Sequence, residues 1–506
     1  MKTRSTMRLH LLVCFELALF AAGQTADQKK NVLFIVVDDL RPSLGAYGQK
    51  CVHTPNIDKL AKESLVFDRA YCQQALCGPS RNSFMTGRRP DTTKSWNFID
   101  HFREPSVGLN WTSLPQYFKN HGYFSSGVGK LYHPSLPPQN DPPSWSNLDQ
   151  FPYVFSKPQT CPNETIWCAL PSNGTYFADV NSTAVVRERL EYVAKTKQPF
   201  FLGIGFLKPH LSWRFPEEFL KNYPNVDEII PAKHRLPPDG MPPIAWHGCL
   251  PENHYSDLHY PPFNRTTPFP IDVQQMMRRA YYAATSYVDS LVGELLESLD
   301  SLGLADDTIV SFHGDHGWQL GEHNEWCKMT NFELGTRVPL MFRVPWKKAS
   351  MGKRTMALVE LVDLYPTLIE LAGLPPAREE NLEGKSLAAL FDDVSRSVKN
   401  ASLSQYPRCN PDPDVSKKDS CKQTNRAEIR YMGYSMRTDR YRYTEWVKWN
   451  GTDLKPEWND QIGVELYDHQ NDDEADFDAF ENENIASKNP DVVKELSRKL
   501  HELVGS

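Results

Sequence analysis

Asn31 to Val37 reads Asn-Val-Leu-Phe-Ile-Val-Val, an unbroken apolar and β-branched run. Such a run predicts a strand buried on both faces, as in a parallel sheet, because a half-exposed strand would alternate with polar residues. It stops at Asp38-Asp39. Phe200 to Phe206 and Thr308 to Phe312 repeat the texture, the latter running into Gly314-Asp315-His316-Gly317, and Val338 to Val344 adds a fourth strand. Between them the apolar spacing changes to three and four. Thr54-Pro55 opens a helix to about Ser64, with Thr54 as cap and Pro55 at the first helical position. Further helices are predicted over Pro79 to Gly87, Thr112 to Asn120, Val273 to Leu302 and Leu358 to Ala372. Strands alternating with helices predict an α/β domain with a large, mainly parallel central sheet flanked by helices.

After about residue 395 the pattern shortens. Tyr431 to Met436, Tyr441 to Val447 and Val464 to Tyr467 predict an antiparallel sheet, and Pro490 to Val504 a terminal helix. The polar stretch Asn471 to Asn484 reads as a solvated loop. The expected organisation is a leader at 1–23, an α/β domain at 24–395 and a smaller C-terminal subdomain at 396–506, without internal repeats.

The leader is read from Lys2, Arg4 and Arg8, an apolar run from Leu11 to Phe20 and the small residues Ala21, Ala22 and Gly23. Glu16 interrupts the run, and the rival reading is an amphipathic extension. No stretch is long and apolar enough to predict a membrane span. Asn-X-Ser/Thr acceptors at Asn110, Asn163, Asn173, Asn181, Asn264, Asn400 and Asn450 agree with the secretory pathway, ending in the lysosome or outside the cell. Of the ten cysteines, Cys161 with Cys168 and Cys409 with Cys421 flank short loops and are expected to pair. Cys51, Cys72, Cys249 and Cys327 have no evident partners and read as buried thiols. A net charge of -7 argues against a nucleic-acid binder, so an anionic substrate must meet a local basic cluster.

Acidic residues end two predicted strands, Asp38-Asp39 and Asp315-His316. Ligands of open α/β sheets bind at the carboxyl ends of strands. Three carboxylates there repel one another unless a cation sits among them, and oxygen ligands suit Ca²⁺ or Mg²⁺. One such pair alone would read as a helix cap or turn; the coincidence of two favours a metal site. His316 is the poorer ligand for a hard cation. Cys77-Gly-Pro-Ser-Arg81 then places a cysteine where a helix begins, at the positive end of its dipole, with Arg81 one turn along. A bare Cys-X-Pro would be a structural cysteine; the full run followed by Thr86-Gly-Arg88 is far more specific.

That run resembles the signature of the type I, formylglycine-dependent sulfatases. Asp38-Asp39-Leu-Arg-Pro-Ser-Leu-Gly45, Thr86-Gly-Arg-Arg-Pro-Asp-Thr-Thr93, Gly129-Lys-Leu-Tyr-His-Pro134, Lys208-Pro-His210, Asp315-His-Gly-Trp-Gln-Leu-Gly-Glu-His323, Glu325-Trp326 and Ser404-Gln-Tyr-Pro-Arg408 resemble, in particular, its branch acting on 2-sulfated iduronate. The resemblance implies an alkaline-phosphatase-like sulfatase fold and hydrolysis of 2-O-sulfate from terminal iduronate of heparan and dermatan sulfate. It implies that Cys77 is oxidised to formylglycine by a formylglycine-generating enzyme, and that the aldehyde hydrate is the nucleophile. Asp38, Asp39, Cys77, Asp315 and His316 would hold Ca²⁺. Arg81 would stabilise the ionised hydrate, Lys130 and Lys328 would bind sulfate oxygens, His133 would be the base that collapses the sulfated intermediate, and His210 would protonate or orient the leaving alkoxide. Trp318 and His210 would join the two lysines in contacting substrate.

Met85 stands where the family more often has Leu, and Gly78 where it often has Ala. The branch's disulfide near the start of its second subdomain has no counterpart around Leu374 to Lys385, so rim loops are expected to differ. Two other classes compete. A phosphodiesterase or phosphatase of the same superfamily would use Ser or Thr with two metals, against which Cys77 argues. A non-catalytic glycosaminoglycan-binding protein would not need the intact constellation.

Overall fold

Side chains alternate across a strand, and β1 (Asn31–Val37) buries both sets. In the computed structural model, which describes residues 29–134, 136–155, 159–248, 250, 255–258, 265–410 and 421–505, Leu33, Ile35 and Val37 join one apolar cluster and Val32, Phe34 and Val36 another. The strands that follow are β2 (Leu65–Tyr71), β3 (Phe124–Gly129), β4 (Trp167–Leu170), β5 (Phe200–Phe206), β6 (Trp213–Pro216), β7 (Thr308–Gly314), β8 (Arg337–Arg343) and β9 (Lys353–Glu360). Seven of these form one sheet in the order β3-β5-β1-β7-β8-β2-β9. Only β8 runs against the rest, since it is antiparallel to both β7 and β2. The β4–β6 pair is a separate parallel ribbon.

Helices cover both faces, which is why the strands read as continuous apolar runs. α1 (Pro55–Lys62), α4 (Ala178–Thr196) and α5 (Ile271–Ser301) pack on the Leu33 side, the last through Met277, Tyr281, Val288 and Leu295. α2 (Cys77–Thr86), α3 (Leu114–Asn120) and α6 (Leu364–Leu371) pack on the Phe34 side through Phe84, Phe118 and Leu368. β10 (Ala401–Arg408), β11 (Tyr431–Thr438), β12 (Tyr441–Asn450) and β13 (Lys455–Asp468) form an antiparallel sheet. α7 (Pro490–Val504) lies on it through Leu496 and Leu500.

Several expectations change. The leader at 1–23 lies outside the described residues, as do Cys249 and Asn264. Leu358 to Ala372 is not one helix: its first residues end β9, paired to β2 at Arg69↔Leu358. The turn between is held by Glu360 N donating to Asp363 Oδ2 at 2.8 Å. Thr54 stands at the cap position of α1, but its hydroxyl donates to Asp58 instead of accepting from the helix. Disulfides join Cys161 to Cys168 and Cys409 to Cys421. Cys327 is disulfide-bonded rather than a free thiol, and Cys51 is exposed rather than buried. Among the described sequons, Asn110, Asn163, Asn173 and Asn400 are exposed. No helix of the described residues is long and apolar enough to cross a membrane.

Asn471 to Asn484 is not a solvated loop. Phe477 and Phe480 are buried, and Glu481 accepts the Glu333 backbone N–H at 2.6 Å. Glu481 also pairs with Arg442 at 2.6 Å, and Glu333 with Arg442 at 2.6 Å and Arg437 at 3.2 Å. The segment's polar composition hides two aromatic anchors and a carboxylate that meets a buried arginine. His469, 2.6 Å from Asp472 and 3.4 Å from Glu481, adds a third basic group to this ionic cluster, which joins β11 and β12 to the segment before β8.

Glu465 lies beside it, accepting from Trp446 Nε1 at 2.7 Å and Tyr467 Oη at 2.8 Å. Burial pushes its carboxyl up to about 7. A carboxyl raised by folding contributes stability that is full below the ordinary glutamate pKa and is lost as pH rises through the folded value. Wild-type protein is therefore expected to lose stability relative to Glu465→Gln between pH 5 and pH 8, by up to about 3 kcal/mol. Paired thermal melts at the two pH values measure this; a constant difference contradicts it.

Candidate active site

Four parallel strands deliver residues to the site at their carboxyl ends, where α/β sheets place ligands. β1 ends in Asp38-Asp39, β7 in Asp315-His316, β3 in Lys130 and β5 in the Leu207–His210 turn. Gly129 has φ 73° and lies against β5, where a Cβ would stand 2.2 Å from the Gly205 carbonyl oxygen. Only glycine lets the chain turn there and send Lys130 inward. α2 begins at Cys77 itself, so the cysteine is its first helical residue, and Gly87 closes the helix in the left-handed conformation.

The Cys77 Sγ is the centre. It lies 3.3 Å from Asp38 Oδ1, 3.3 Å from His316 Nε2, 3.2 Å from Lys328 Nζ and 3.5 Å from Lys130 Nζ. Lys130 pairs with Asp38, and Lys328 with Asp39. Arg81 bridges Asp315 at 2.9 Å and Asp38 at 3.3 Å. Asp315 Oδ1 accepts the backbone N–H groups of Asp39 at 3.1 Å and His316 at 3.0 Å, which ties the two strand ends together. All of these side chains are buried.

Burial dominates the titration of the site and neighbouring charges decide its direction. Burial alone would raise Asp38, but Lys130, His210, Arg81 and Lys328 together hold it well below the carboxylate range. Asp39 is raised by burial to about 6 against the pull of Lys328, and Asp315 to about 7 against that of Arg81. Burial and then Asp38 push the Cys77 thiol up to about 12, so the unmodified thiol is a poor source of thiolate. Lys130 and Lys328 rise despite burial because Asp38 and Asp39 face them.

The donor set fits a cation. Ligand atoms of Asp38, Cys77, Asp315 and His316 lie within 4.8 Å of one another, as do those of Asp38, Asp39, Cys77 and His210. Asp39 Oδ2 is buried without a hydrogen-bond partner among the described residues. A spare oxygen on buried Asp39, which with Asp315 is one of two carboxyls disfavoured as anions, is a demand for positive charge that a divalent ion would meet. Arg81, Lys130 and Lys328 add a basic wall suited to a tetrahedral oxyanion.

The remaining sequence candidates sit around this centre. His133 stacks on Phe98 with ring centroids 4.0 Å apart, and its Nδ1 is buried without a hydrogen-bond partner among the described residues. Burial, reinforced by Lys130, lowers its pKa to about 3, so it is a neutral imidazole. Trp318 lies under Lys328, whose Nζ is 5.4 Å from a ring centroid. Arg408 holds the loop bearing Lys328 by donating to Met329 O at 3.0 Å.

Lys422 is a neighbour of the site that the sequence does not single out. Its carbonyl accepts the Phe98 N–H at 2.8 Å, which anchors it to the wall that carries His133. The side chain is exposed, yet partial desolvation and then the Lys328 ammonium lower its pKa. The only signal was its position beside Cys421, where the Cys409–Cys421 disulfide closes a loop after β10.

A strand-end acid cluster around a helix-start cysteine, walled by Arg81, Lys130 and Lys328, defines a hydrolase for a sulfuric ester, and residues 30–374 match the Sulfatase family model. The chain belongs to the sulfatase family. It is 38% identical to iduronate 2-sulfatase of Homo sapiens, over 90% of this chain and 92% of that one. It is 33% identical to a sulfatase of Formosa agariphila, over 72% and 73%. The phosphonate monoester hydrolase of Silicibacter pomeroyi shares the alkaline-phosphatase-like fold, with a TM-score of 0.69 and 21% identity over 94% of this chain and 95% of that one.

Proposed function

We propose that the protein removes the 2-O-sulfate from terminal iduronate of heparan and dermatan sulfate, after passage through the secretory pathway to the lysosome or the cell exterior. The contacts of Cys77 Sγ with Lys130, Lys328, Asp38 and His316, all at 3.2–3.5 Å, carry the reaction class. The likeness to iduronate 2-sulfatases and the cation at Lys422, suited to a uronate carboxylate, support the sugar. Residues 24–395 and 396–506 are read as a catalytic domain and a subdomain that contributes Lys422 to the rim.

Oxidation of Cys77 by a formylglycine-generating enzyme supplies an aldehyde hydrate with two hydroxyls, one to attack sulfur and one to expel sulfate. Asp38, Asp39, Asp315 and His316, with the modified Cys77, would hold Ca²⁺, which when bound neutralises sulfate charge and lowers the pKa of the hydrate. Lys130 and Lys328 grip sulfate oxygens and stabilise charge as the S–O bond breaks. Arg81 holds Asp38 and Asp315 in register and favours the ionised hydrate. Trp318 lies beneath Lys328 and is read as a substrate contact beside it. His210, whose pKa burial and then Lys130 hold well below the ordinary imidazole value, protonates or orients the leaving alkoxide as the negative sulfate offsets Lys130, and His133 takes the proton whose loss re-forms the aldehyde.

Two experiments test this reading. Lys422→Met is expected to raise KM about tenfold on a 2-sulfated iduronate disaccharide and to spare a sulfated neutral sugar, a loss of about 1.4 kcal/mol for one exposed charge contact. An equal change on both substrates counts against uronate recognition. Dialysis against a calcium chelator is expected to remove activity, and Ca²⁺ to restore it; full activity in chelator contradicts the metal assignment.

A further inference from the structure

Asp179 is a buried acid outside the cluster around Cys77, at the second position of α4. It does not cap its own helix. Its Oδ1 accepts the Leu207 N–H at 2.8 Å and its Oδ2 the Lys208 N–H at 3.0 Å, so both oxygens are spent on the turn that leaves β5. Lys208, also buried, sends its Nζ back across the same turn to the carbonyl oxygens of His210 at 2.5 Å and Ser212 at 2.6 Å. Residues 207–212 are thus held at both ends, by a carboxylate on the amides and an ammonium on the carbonyls.

His210 rides on this turn. Its Nδ1 lies 2.5 Å from the Leu211 carbonyl oxygen, which can only accept, so Nδ1 carries a hydrogen. Nε2 is left for the site, where a ring nitrogen of His210 lies within 4.8 Å of Asp38, Asp39 and Cys77 ligand atoms. We propose that Asp179, acting with Lys208, is a positioning residue that fixes the His210 ring for proton delivery to the leaving oxygen. The inference rests on the reading of His210 given above. It assigns a task to two buried charges that the chemistry of the cluster does not use. A displaced acid fails most where the leaving group most needs its proton, because proton transfer demands hydrogen-bond reach to the departing oxygen.

The test compares Asp179→Asn, Lys208→Met and His210→Ala in the full-length enzyme on two substrates. A sulfated iduronate disaccharide leaves as an alkoxide, whereas 4-nitrophenyl sulfate leaves as a stable phenolate. Asp179→Asn is expected to lower kcat on the disaccharide about tenfold or more and on the aryl sulfate less than about threefold, with KM little changed, following His210→Ala in direction. If His210→Ala discriminates between the substrates but Asp179→Asn and Lys208→Met do not, Asp179 is merely structural and the inference falls. If His210→Ala itself fails to discriminate, the reading of His210 falls first and takes the inference with it. Should Asp179→Asn fold poorly, Lys208→Met, which leaves the carboxylate in place, is read by the same ratio.

Discussion

Cys77→Ala is expected to lower sulfate-ester turnover by on the order of 10⁴-fold or more, with secretion and melting temperature nearly unchanged. The side chain is small and sits at the first turn of α2, where alanine is well tolerated. It anchors no apolar cluster; its neighbours are Asp38, His316, Lys130 and Lys328. The ion pairs Lys130–Asp38 and Lys328–Asp39 remain without it, so the framework persists while the nucleophile is lost. Rates on a sulfated disaccharide, with thermal melts of the secreted protein, decide the point. A variant that is retained in the cell and misfolded would make Cys77 structural instead.

Lys328→Met is expected to cost about 10²–10³ in kcat, the loss typical of removing one group that stabilises charge in the transition state. Lys328 Nζ is 3.2 Å from Cys77 Sγ and pairs with Asp39, so the same atom serves the reacting centre and a carboxylate of the cation site. Its removal leaves Asp39, whose Oδ2 already lacks a hydrogen-bond partner among the described residues, without its nearest positive charge. The Asp39 carboxyl then rises further above its value of about 6, because the lowering influence of Lys328 is gone and burial remains. Lys328→Arg is expected to recover part of the loss by restoring charge at altered geometry. Steady-state rates for the three proteins check this. Equal kcat for Lys328→Met and wild type would remove Lys328 from the chemistry.

The sequence carried the centre of the site more fully than its rim, for physical reasons. Asp38, Asp39 and Asp315 were readable because each ends an apolar run, and strand ends are where such sheets put their chemistry. β5 was readable because all seven of its residues are apolar or glycine and are buried between two helical layers. β2 was missed because Asp68-Arg69 interrupts it: both are buried and held by partners distant in sequence, Asp68 by Arg354 and Arg69 by the Met356 carbonyl. The last three residues of β9, Leu358 to Glu360, read as helix because they are continuous with the apolar spacing of α6. Lys422 was hidden because its relevance depends on a disulfide that returns the chain to the wall at Phe98. Asp179 was hidden because its partners are backbone amides, which leave no mark on the sequence.

On the function proposed above, Cys77 works as an aldehyde hydrate and not as a thiol. Mass spectrometry of the peptide carrying residue 77, from active protein recovered through the secretory pathway, tests it most directly. Formylglycine or its hydrate is expected in the active fraction, in proportion to specific activity; a fully active protein whose residue 77 is an unmodified cysteine would overturn the aldehyde mechanism.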